Sequence, residues 1–259
     1  MTRRGSAAHP LRDLALAAST LTALPIAVTW PEGERTDAPG YYPLVGLGLG
    51  ASLYALVALL RFAGWGGGAP LVIAAVLVGL VSVFTRMLHW DGLGDAADGY
   101  WAHDQQRRLE IMSDSAIGAY AVVAIVVVIV VHVASIAAIL PGDRVIALLV
   151  VPVFGRLAAT FGAWLGTPAK PAGLGASVVG RPALGAALPA GAAIAIVTAL
   201  AVVSLGAVEG GVLTVLGVLS ALAVPHLLSQ RFGGVTGDVL GASVVLVEAL
   251  LFAVVAVWW

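Results

Sequence analysis

Eight apolar runs, most of them long enough to cross a bilayer, constrain this chain more than any other feature. They cover residues 14–30, 42–62, 70–88, 117–140, 145–165, 186–207, 211–228 and 239–258. A helix of roughly 20 apolar residues crosses a hydrocarbon core of about 30 Å. The runs are continuous rather than alternating, which favours helices over a membrane β-barrel. We therefore predict an all-α, polytopic helical membrane bundle with about seven to eight apolar helices.

The overall composition agrees with a membrane protein and excludes several classes of function. The 259 residues are 60% hydrophobic and 10% charged, whereas a soluble domain has about 25% charged residues. The net charge of −1 provides no basic field, so we expect no nucleic-acid partner. Because the chain has no cysteine, disulfides and thiol chemistry are excluded. No repeat or linker divides the chain, which predicts a single integral-membrane domain over residues 1–259.

Three aspartates directly follow the third apolar run: Asp91, Asp95 and Asp98. On a helix, Asp95 lies about 40° from Asp91, and Asp98 lies about 20° to its other side, so the three carboxylates share one face. Grouped like charges are unfavourable unless a cation lies between them. Gly92 and Gly94 would let a ligand approach the backbone. We predict that these aspartates bind Mg²⁺; zinc is less favoured because no paired His or Cys accompanies them.

Three further groups are candidates for catalysis. His89 precedes the aspartates and could act as a base or a hydrogen-bond donor, although a lone histidine is often structural. Asp114 lies at the mouth of the next apolar run, and Asp238 begins the last one, where it could simply cap a helix. Arg107 and Glu110 lie three residues apart, and an ordinary surface ion pair explains them as well as a functional role does.

Phosphate-binding groups are predicted in two loops. Gly233 and Gly234 supply flexible backbone N–H groups before a helix, and Thr236 adds a hydroxyl, which together could cradle an anion. Lys170 and Arg181 flank a glycine-rich loop and could contact phosphates. The usual excess of Lys and Arg in cytoplasmic loops explains Lys170 and Arg181 equally well.

Charged residues also lie inside the apolar runs. Arg156 and Glu248 are each costly in a membrane and therefore need a partner or a function. Glu248 is about 15 Å from Asp238 along a helix, so the two are not expected to share an ion. His132 and His226 also lie in apolar runs, where packing or helix–helix hydrogen bonding is the default expectation.

Together these groups are typical of phosphoryl-type transfer, with carboxylates for Mg²⁺ and basic side chains and amides for phosphate oxygens. No Walker-type loop, nucleophile elbow, zincin pair or dinucleotide fingerprint is present. We therefore expect an activated diphosphate donor rather than a nucleotide held in a soluble fold.

The motifs resemble those of the cobalamin synthase family, also called the adenosylcobinamide-GDP ribazoletransferases. Residues 89–99, His-Trp-Asp-Gly-Leu-Gly-Asp-Ala-Ala-Asp-Gly, are similar to the family's His-x-Asp-Gly-Leu-x-Asp-x-x-Asp-Gly. Segments 109–120 and 233–242 are similar to two later family blocks, in the same order. The chain departs from the family at Lys170, where an arginine is expected, and at Ala116, where a basic residue is common.

The resemblance implies transfer of the phospho-cobinamide moiety of adenosylcobinamide-GDP to α-ribazole or its 5′-phosphate. GMP would leave, Mg²⁺ would assist, and adenosylcobalamin or its phosphate would form. The enzyme would be a multi-pass protein of the cell inner membrane, in contact with membrane lipid. Asp91, Asp95 and Asp98 would be metal ligands, supported by Asp114 and Asp238. The sequence leaves open whether the protein forms an oligomer.

Two other functions are weighed against this one. Residues 95–102 match the opening Asp-x-x-Asp-Gly-x-x-Ala of the CDP-alcohol phosphotransferases, but the later glycine and aspartates of that family are not found at the expected spacing. A metal-ion or small-molecule transporter would also place acids in a helical bundle. Transporter sites lie near the membrane midplane and commonly between repeats, whereas these acids lie in loops.

The positions of Lys and Arg predict the topology, because cytoplasmic loops carry an excess of both. If all eight runs cross, the three polar loops at 89–116, 166–185 and 229–238 all fall on one face, and the Lys and Arg residues divide seven to five between the two faces. If the first run lies in the interface or turns back near Pro25, they divide ten to two. The face with ten carries Arg3, Arg4, Arg12, Arg35, Arg86, Arg107, Arg108, Lys170, Arg181 and Arg231, and the other carries Arg61 and Arg144. We predict the second arrangement, with the aspartates on the cytoplasmic face.

Overall fold

The computed structural model describes residues 9–29, 36–171, 173–180, 182 and 184–258. Its helices, in chain order, are α1 (Pro10–Leu21), α2 (Tyr42–Phe62), α3 (Pro70–Phe84), α4 (Leu88–Tyr100), α5 (Gln105–Ile111), α6 (Ala119–Ile139), α7 (Ala147–Leu165), α8 (Leu174–Val178), α9 (Leu184–Leu205), α10 (Ala207–Phe232) and α11 (Gly237–Trp258). Short 3-10 turns precede α2 and α7, at Ala38–Tyr41 and Asp143–Ile146. The described residues contain no β-strand, which confirms the all-α prediction.

Six helical segments in the described ranges are long and apolar enough to cross a membrane. They are Ala38–Phe62, Ala119–Ile139, Asp143–Leu165, Gly185–Leu205, Ala207–Phe232 and Gly237–Trp258. α3 and α4 form a further pair that would count as a seventh span, bent by 89°. This agrees with the lower end of the predicted range of seven to eight helices.

Polar contacts identify the two ends of the bundle. At one end, which we call the far end, Arg61 donates hydrogen bonds to the carbonyl oxygens of Leu140 and Gly142 at 2.7 and 2.8 Å. At the other, which we call the site end because it carries α4 and α5, the Ala23 N–H donates to the Phe84 carbonyl at 2.6 Å. α3 therefore returns the chain from the far end to the site end.

The first apolar run does not cross the bundle. α1 has 12 residues, about 18 Å of helix, which is shorter than a membrane core of about 30 Å. Both of its flanks lie at the site end: Arg86 donates to the Ser19 carbonyl at 2.8 Å, and Thr36 donates to the Asp13 carboxylate at 2.8 Å. This geometry agrees with the predicted topology in which the first run stays at one face.

The third apolar run, predicted over 70–88, breaks before its end. α3 stops at Phe84, and Arg86 and Met87 adopt positive φ angles of 54° and 59°. The left-handed backbone conformation of these two residues turns the chain, so that α4 runs at 89° to α3. The last residue of the predicted run, Leu88, therefore belongs to the helix that carries the aspartates.

α7 is the central helix and packs against α2, α9, α10 and α11. Its closest neighbour is α2, where Gly46 and Gly50 lie one turn apart. A Cβ added to Gly46 would collide with the Pro152 carbonyl, and one added to Gly50 would collide with the Leu149 carbonyl. Such small-xxx-small spacing lets two membrane helices approach backbone to backbone.

Exposed aromatic side chains mark the membrane boundary at the site end. Tyr100, Trp101 and Tyr120 are 38%, 63% and 58% exposed, and the Trp101 and Tyr120 rings lie 6.3 Å apart. Tyr and Trp are enriched at the headgroup level of membrane proteins. The carboxyl end of α4 and the start of α6 therefore lie close to that level.

Candidate active site

α4 crosses α11 at very close range because glycines occupy the contact. A Cβ added to Gly92 would lie 2.8 Å from the Asp238 carbonyl oxygen, and one added to Gly241 would lie 3.2 Å from the Leu88 carbonyl oxygen. The start of α4 therefore lies directly on the first turns of α11. This crossing brings Asp91 and Asp95 of α4 close to Asp238 of α11.

Asp95 is the half-buried centre of a group of like charges. Its carboxylate lies within electrostatic range of Asp238, Asp91 and Asp98, and also of the oppositely charged Lys170. Asp238 in turn lies within range of Lys170 and Asp91. Among the described residues, none donates a hydrogen bond to the carboxylate of Asp91 or Asp95. The described part of the site is therefore a set of carboxylates with one nearby ammonium group.

Asp98 lies on the same helix but makes different contacts. Its two carboxylate oxygens accept hydrogen bonds from the N–H groups of Gly118 and Ala121, at 2.6 and 2.9 Å. Asp98 therefore caps α6 from another helix, and its negative charge lies at the positive end of the α6 dipole. The predicted use of Asp98 as a metal ligand would compete with this cap.

Two loops meet opposite α4 and place Lys170 at the site. The Val235 N–H donates to the Thr167 carbonyl at 2.7 Å, and the Ala169 N–H donates to the Val235 carbonyl at 3.1 Å, which forms a short parallel bridge. The Lys170 ammonium donates to the Ser113 hydroxyl at 2.6 Å. The predicted meeting of three loops on one face is therefore seen, and Ser113 is a contact that the sequence analysis did not include.

The glycine-rich loop is built differently from the predicted anion cradle. The N–H groups of Gly233 and Gly234 both point to the Ser229 carbonyl, where they close the end of α10. The Thr236 hydroxyl accepts from the Val239 N–H at 3.1 Å and donates to the Asp238 carboxylate at 3.2 Å. The two glycine amides are thus used within the protein, and Thr236 caps α11 and orients Asp238.

The remaining predicted residues lie apart from the carboxylates. His89 is 3% exposed and faces the interior near Arg156 and Glu248, on the opposite side of α4 from Asp91. Asp114 is exposed, and its carboxylate accepts from the Ala116 N–H at 3.1 Å in the turn before α6. Arg181 lies outside the described residues.

α5 holds the ends of α4 and α10 together. Arg108 donates to the carbonyl oxygens of Ala102 and Arg231 at 2.9 and 3.0 Å. Arg231 donates to the Tyr100 carbonyl at 2.8 Å and lies over the Tyr100 ring. The contacts of Arg231 with Arg108 and with Tyr100 join residues 123 and 131 positions apart, so no local pattern could indicate them. By contrast, Arg107 and Glu110 form the ordinary exposed pair, at 3.2 Å.

An open cleft of about 750 Å³ lies between α5 and the loop that carries Lys170. Its walls are Gln105, Gln106, Leu109, Glu110, Ser113, Ala169, Lys170 and Pro171. Ligand pockets commonly measure about 300–1,000 Å³, so the cleft is large enough for part of a nucleotide-sized substrate. It leads to the carboxylates at its Lys170 end.

The donor set fits Mg²⁺ that is held jointly with a substrate. Within the described ranges, no three His, Asp or Glu side chains are close enough together to hold a metal ion by themselves. Mg²⁺ is commonly bound by one or two carboxylates together with waters and substrate phosphates. Asp91 and Asp95 supply carboxylate oxygens without a hydrogen-bond donor among the described residues, and Asp238 lies beside them.

Comparison with known proteins identifies the family. The CobS family model, described as Cobalamin-5-phosphate synthase, matches residues 13–256. A protein from Alkalilimnicola ehrlichii named adenosylcobinamide-GDP ribazoletransferase is 40% identical over 256 residues, covering 95% of this chain and 96% of its own length. Proteins of the same name from Stutzerimonas stutzeri and Thermosynechococcus vestitus are 38% and 35% identical, over 91% and 89% of this chain and 94% and 90% of their own lengths.

No solved structure is significantly similar to this chain. The family match extends over nearly the whole chain and confirms the resemblance seen in the three motif blocks, in preference to a CDP-alcohol phosphotransferase. The chain therefore belongs to the cobalamin-5-phosphate synthase family.

Proposed function

We propose that this protein transfers the phospho-cobinamide moiety of adenosylcobinamide-GDP to α-ribazole or its 5′-phosphate. A hydroxyl oxygen of the acceptor bonds to the phosphorus next to cobinamide. The bond from that phosphorus to the bridging oxygen breaks, and GMP leaves with that oxygen. The hydroxyl proton passes to a carboxylate or to solvent. The product is adenosylcobalamin or its phosphate.

The observation that carries this proposal is the group formed by Asp91, Asp95, Asp238 and Lys170, on one end of the bundle. Carboxylates within electrostatic range of one another favour a cation between them, and a diphosphate would supply the remaining oxygen ligands. The group lies at the site end, near the headgroup level marked by Tyr100 and Trp101. A water-soluble diphosphate can reach this level, whereas the membrane midplane expected for a transporter site lies deeper.

Each side chain has a separate task in this proposal. Asp91 and Asp95 hold Mg²⁺, which when bound offsets the charge of the diphosphate. Lys170 offsets the negative charge that develops on the leaving GMP. Asp238, whose carboxylate is oriented by Thr236, is the group best placed to accept the proton of the acceptor hydroxyl. His89 takes no part because it faces away from this group.

We further propose that the site end is cytoplasmic. Because α1 stays at the site end, the described basic residues outside the bundle interior divide six to two in favour of that end. The positive-inside rule then places it in the cytoplasm. Both substrates would reach the enzyme from the aqueous phase on that side.

The test uses the purified full-length protein with adenosylcobinamide-GDP, α-ribazole and Mg²⁺, followed by measurement of GMP release and product mass. We expect release that stops with EDTA and returns with added Mg²⁺. Asp95→Asn should lower the rate by about 100- to 1,000-fold, since it removes a charge that holds the cation.

Asp143→Asn is the matched control, because this carboxylate is exposed and lies at the far end of the bundle, in the turn before α7. Its rate should stay within about threefold of the wild type. A rate for Asp95→Asn that is equally close to the wild type would exclude the metal role. Transfer from CDP-diacylglycerol to an alcohol instead of GMP release would exclude the proposed reaction.

A further inference from the structure

A second polar cluster lies inside the bundle, away from the site carboxylates. Arg156 of α7 forms an ion pair with Glu248 of α11, and the His132 Nε2 atom of α6 lies 3.8 Å from the same carboxylate. His89 of α4 lies near both charges. All four side chains are at least nine-tenths buried, with exposures between 1% and 7%. Four helices therefore meet at one buried ionic group.

This cluster has unused hydrogen-bonding capacity. The Nε and Nη2 atoms of Arg156 and the Nε2 atoms of His89 and His132 are buried without any hydrogen-bond partner. A buried polar atom left unpaired costs about 1–3 kcal/mol. Protein interiors commonly satisfy such atoms with ordered water.

A cavity at the cluster has room for that water. It is lined by the cluster itself, by Ser82 of α3 and Thr85 just after α3, and by apolar side chains that include those of α2, α3 and α11. The space open to water centres is about 40 Å³. One water needs about 10–15 Å³ by this measure, so the cavity holds about three.

The charge of the cluster also favours water over an ion. Arg156 and Glu248 already balance each other, so an added ion would leave a net charge at membrane depth, where it is costly. The small volume excludes a lipid chain or a substrate fragment. A neutral molecule that both donates and accepts hydrogen bonds suits these nitrogens and the two hydroxyls.

Trp90 of α4, the helix that carries the aspartates, contacts this cluster. The Trp90 ring packs edge to face on His132 at 5.4 Å, and its Nε1–H donates to the Ser82 hydroxyl at 2.7 Å. His89 and Trp90 immediately precede Asp91 on α4. In the first turn of α4, His89 and Trp90 therefore pack on the cluster, and Asp91 lies on the opposite side of the helix.

We infer that the cavity binds a small cluster of ordered water that joins Arg156, His89 and His132, and that this hydrated group positions α4 on α11. Arg156 and Glu248 are then positioning residues for Asp91 and Asp95. The catalytic part of this inference rests on the proposed function, whereas the water site does not.

The test replaces the ion pair as a unit. Arg156→Met or Glu248→Leu alone leaves an unpaired buried charge and should lower the Tm strongly. The double variant removes both charges, and its Tm should return to within a few degrees of the wild type. We expect the double variant to release GMP at least about tenfold more slowly, with KM changed by less than about threefold.

Thr160→Val is the matched control. It removes a buried hydrogen bond of α7, from the Thr160 hydroxyl to the Pro39 carbonyl at 2.7 Å, but the bond does not involve α4. Its kcat should remain near the wild-type value even if its Tm falls. A double variant that recovers both Tm and kcat would show that the cluster has only a structural role and would overturn the positioning claim.

If the double variant does not fold, the kinetics of Trp90→Phe test the positioning role instead. This substitution keeps a ring against His132 but loses the N–H bond to Ser82, so kcat should fall while KM changes little, and the Tm should fall by only part of the loss seen in the single charge variants. An unchanged kcat would again contradict the positioning role.

The water site is tested separately by a cryo-EM map of the wild type in a nanodisc. We expect about three water peaks within hydrogen-bond distance of Arg156, His89 or His132. Continuous elongated density, or a cavity closed by direct side-chain contacts, would overturn the water site. Wild-type protein that inserts but releases no GMP would reject the proposed function and leave this result standing.

Discussion

At the scale of residues, identical side chains on one helix have different roles. Asp91, Asp95 and Asp98 share the helix α4 and were predicted as equivalent ligands. The structure places all three on α4, although we expected them in a loop between apolar runs. Helical spacing indicated only that they would share one face if they were helical. It could not indicate that Asp98 would accept hydrogen bonds from the backbone of Gly118, 20 residues further along the chain. That use depends on where α6 begins in three dimensions.

This difference predicts opposite effects on stability in the absence of Mg²⁺. Asp98→Ala leaves the N–H groups of Gly118 and Ala121 without their acceptor and should destabilise the protein by about 1–2 kcal/mol. Asp95→Asn removes a repelling charge and breaks no described hydrogen bond, so its Tm should equal or exceed that of the wild type. Thermal denaturation in EDTA measures both.

Asp98→Asn is the informative control, because it keeps one acceptor oxygen for the cap but loses the charge. It should recover part of the stability lost in Asp98→Ala. If Asp98→Ala melts at the wild-type temperature, the cap is not important for stability.

At the scale of elements, the site depends on how closely α4 lies on α11. Gly92 makes this approach possible, since the backbone of Asp238 occupies the space that a Cβ would need. We expected this glycine to let a ligand approach the backbone, but in the structure it accommodates another helix. The turn that starts α4 was also not predictable, because residues 84–88 are mostly apolar and contain no glycine or proline.

Gly92→Ala should therefore push α4 away from α11. The added Cβ would lie 2.8 Å from the Asp238 carbonyl oxygen and 3.0 Å from its Cα, and backbone atoms cannot move aside as a side-chain end can. Overpacking of this kind costs about 1–3 kcal/mol. We expect GMP release to fall at least about tenfold, since Asp91 and Asp95 move relative to Asp238.

The control for this substitution is Gly79→Ala on α3, where nothing lies within 4 Å of an added Cβ. Its Tm and rate should match or slightly exceed those of the wild type, because alanine favours helix over glycine. Equal activity of Gly92→Ala and Gly79→Ala would mean that the α4–α11 contact does not set the site geometry.

At the scale of the whole molecule, the membrane class and the meeting of loops at one end follow directly from the sequence. The apolar runs predicted the long helices, because continuous apolarity of that length has few other solutions. The contacts between helices were less accessible. Arg156 and Glu248 were each expected to need a partner, but 92 residues separate them, and spacing alone cannot pair side chains on different helices.

The topology can be tested by single-cysteine labelling, because the chain has no native cysteine. Three variants carry one cysteine each: Gln106→Cys, His9→Cys and Gly66→Cys. Gln106 and His9 lie at the site end, and Gly66 lies in the exposed turn between α2 and α3 at the far end. In intact spheroplasts, a membrane-impermeant maleimide should label only Gly66→Cys. All three should react after lysis.

Labelling of His9→Cys but not Gln106→Cys in intact spheroplasts would mean that α1 crosses the membrane. Labelling of both in that assay, without Gly66→Cys, would place the site end outside the cytoplasm.

The short bridge between the loops at 167–169 and 235 has a consequence for how substrates enter. It makes Lys170 and Asp238 part of one rigid wall, while α5 is fastened to α4 and α10 by Arg108 and Arg231. Among the hydrogen bonds described between these walls, the one from Lys170 to Ser113 spans the cleft. A bulky corrinoid could therefore be admitted by releasing one exposed hydrogen bond, with both walls unchanged. Lys170, which we propose offsets the charge of the leaving group, would then also control the width of the entrance.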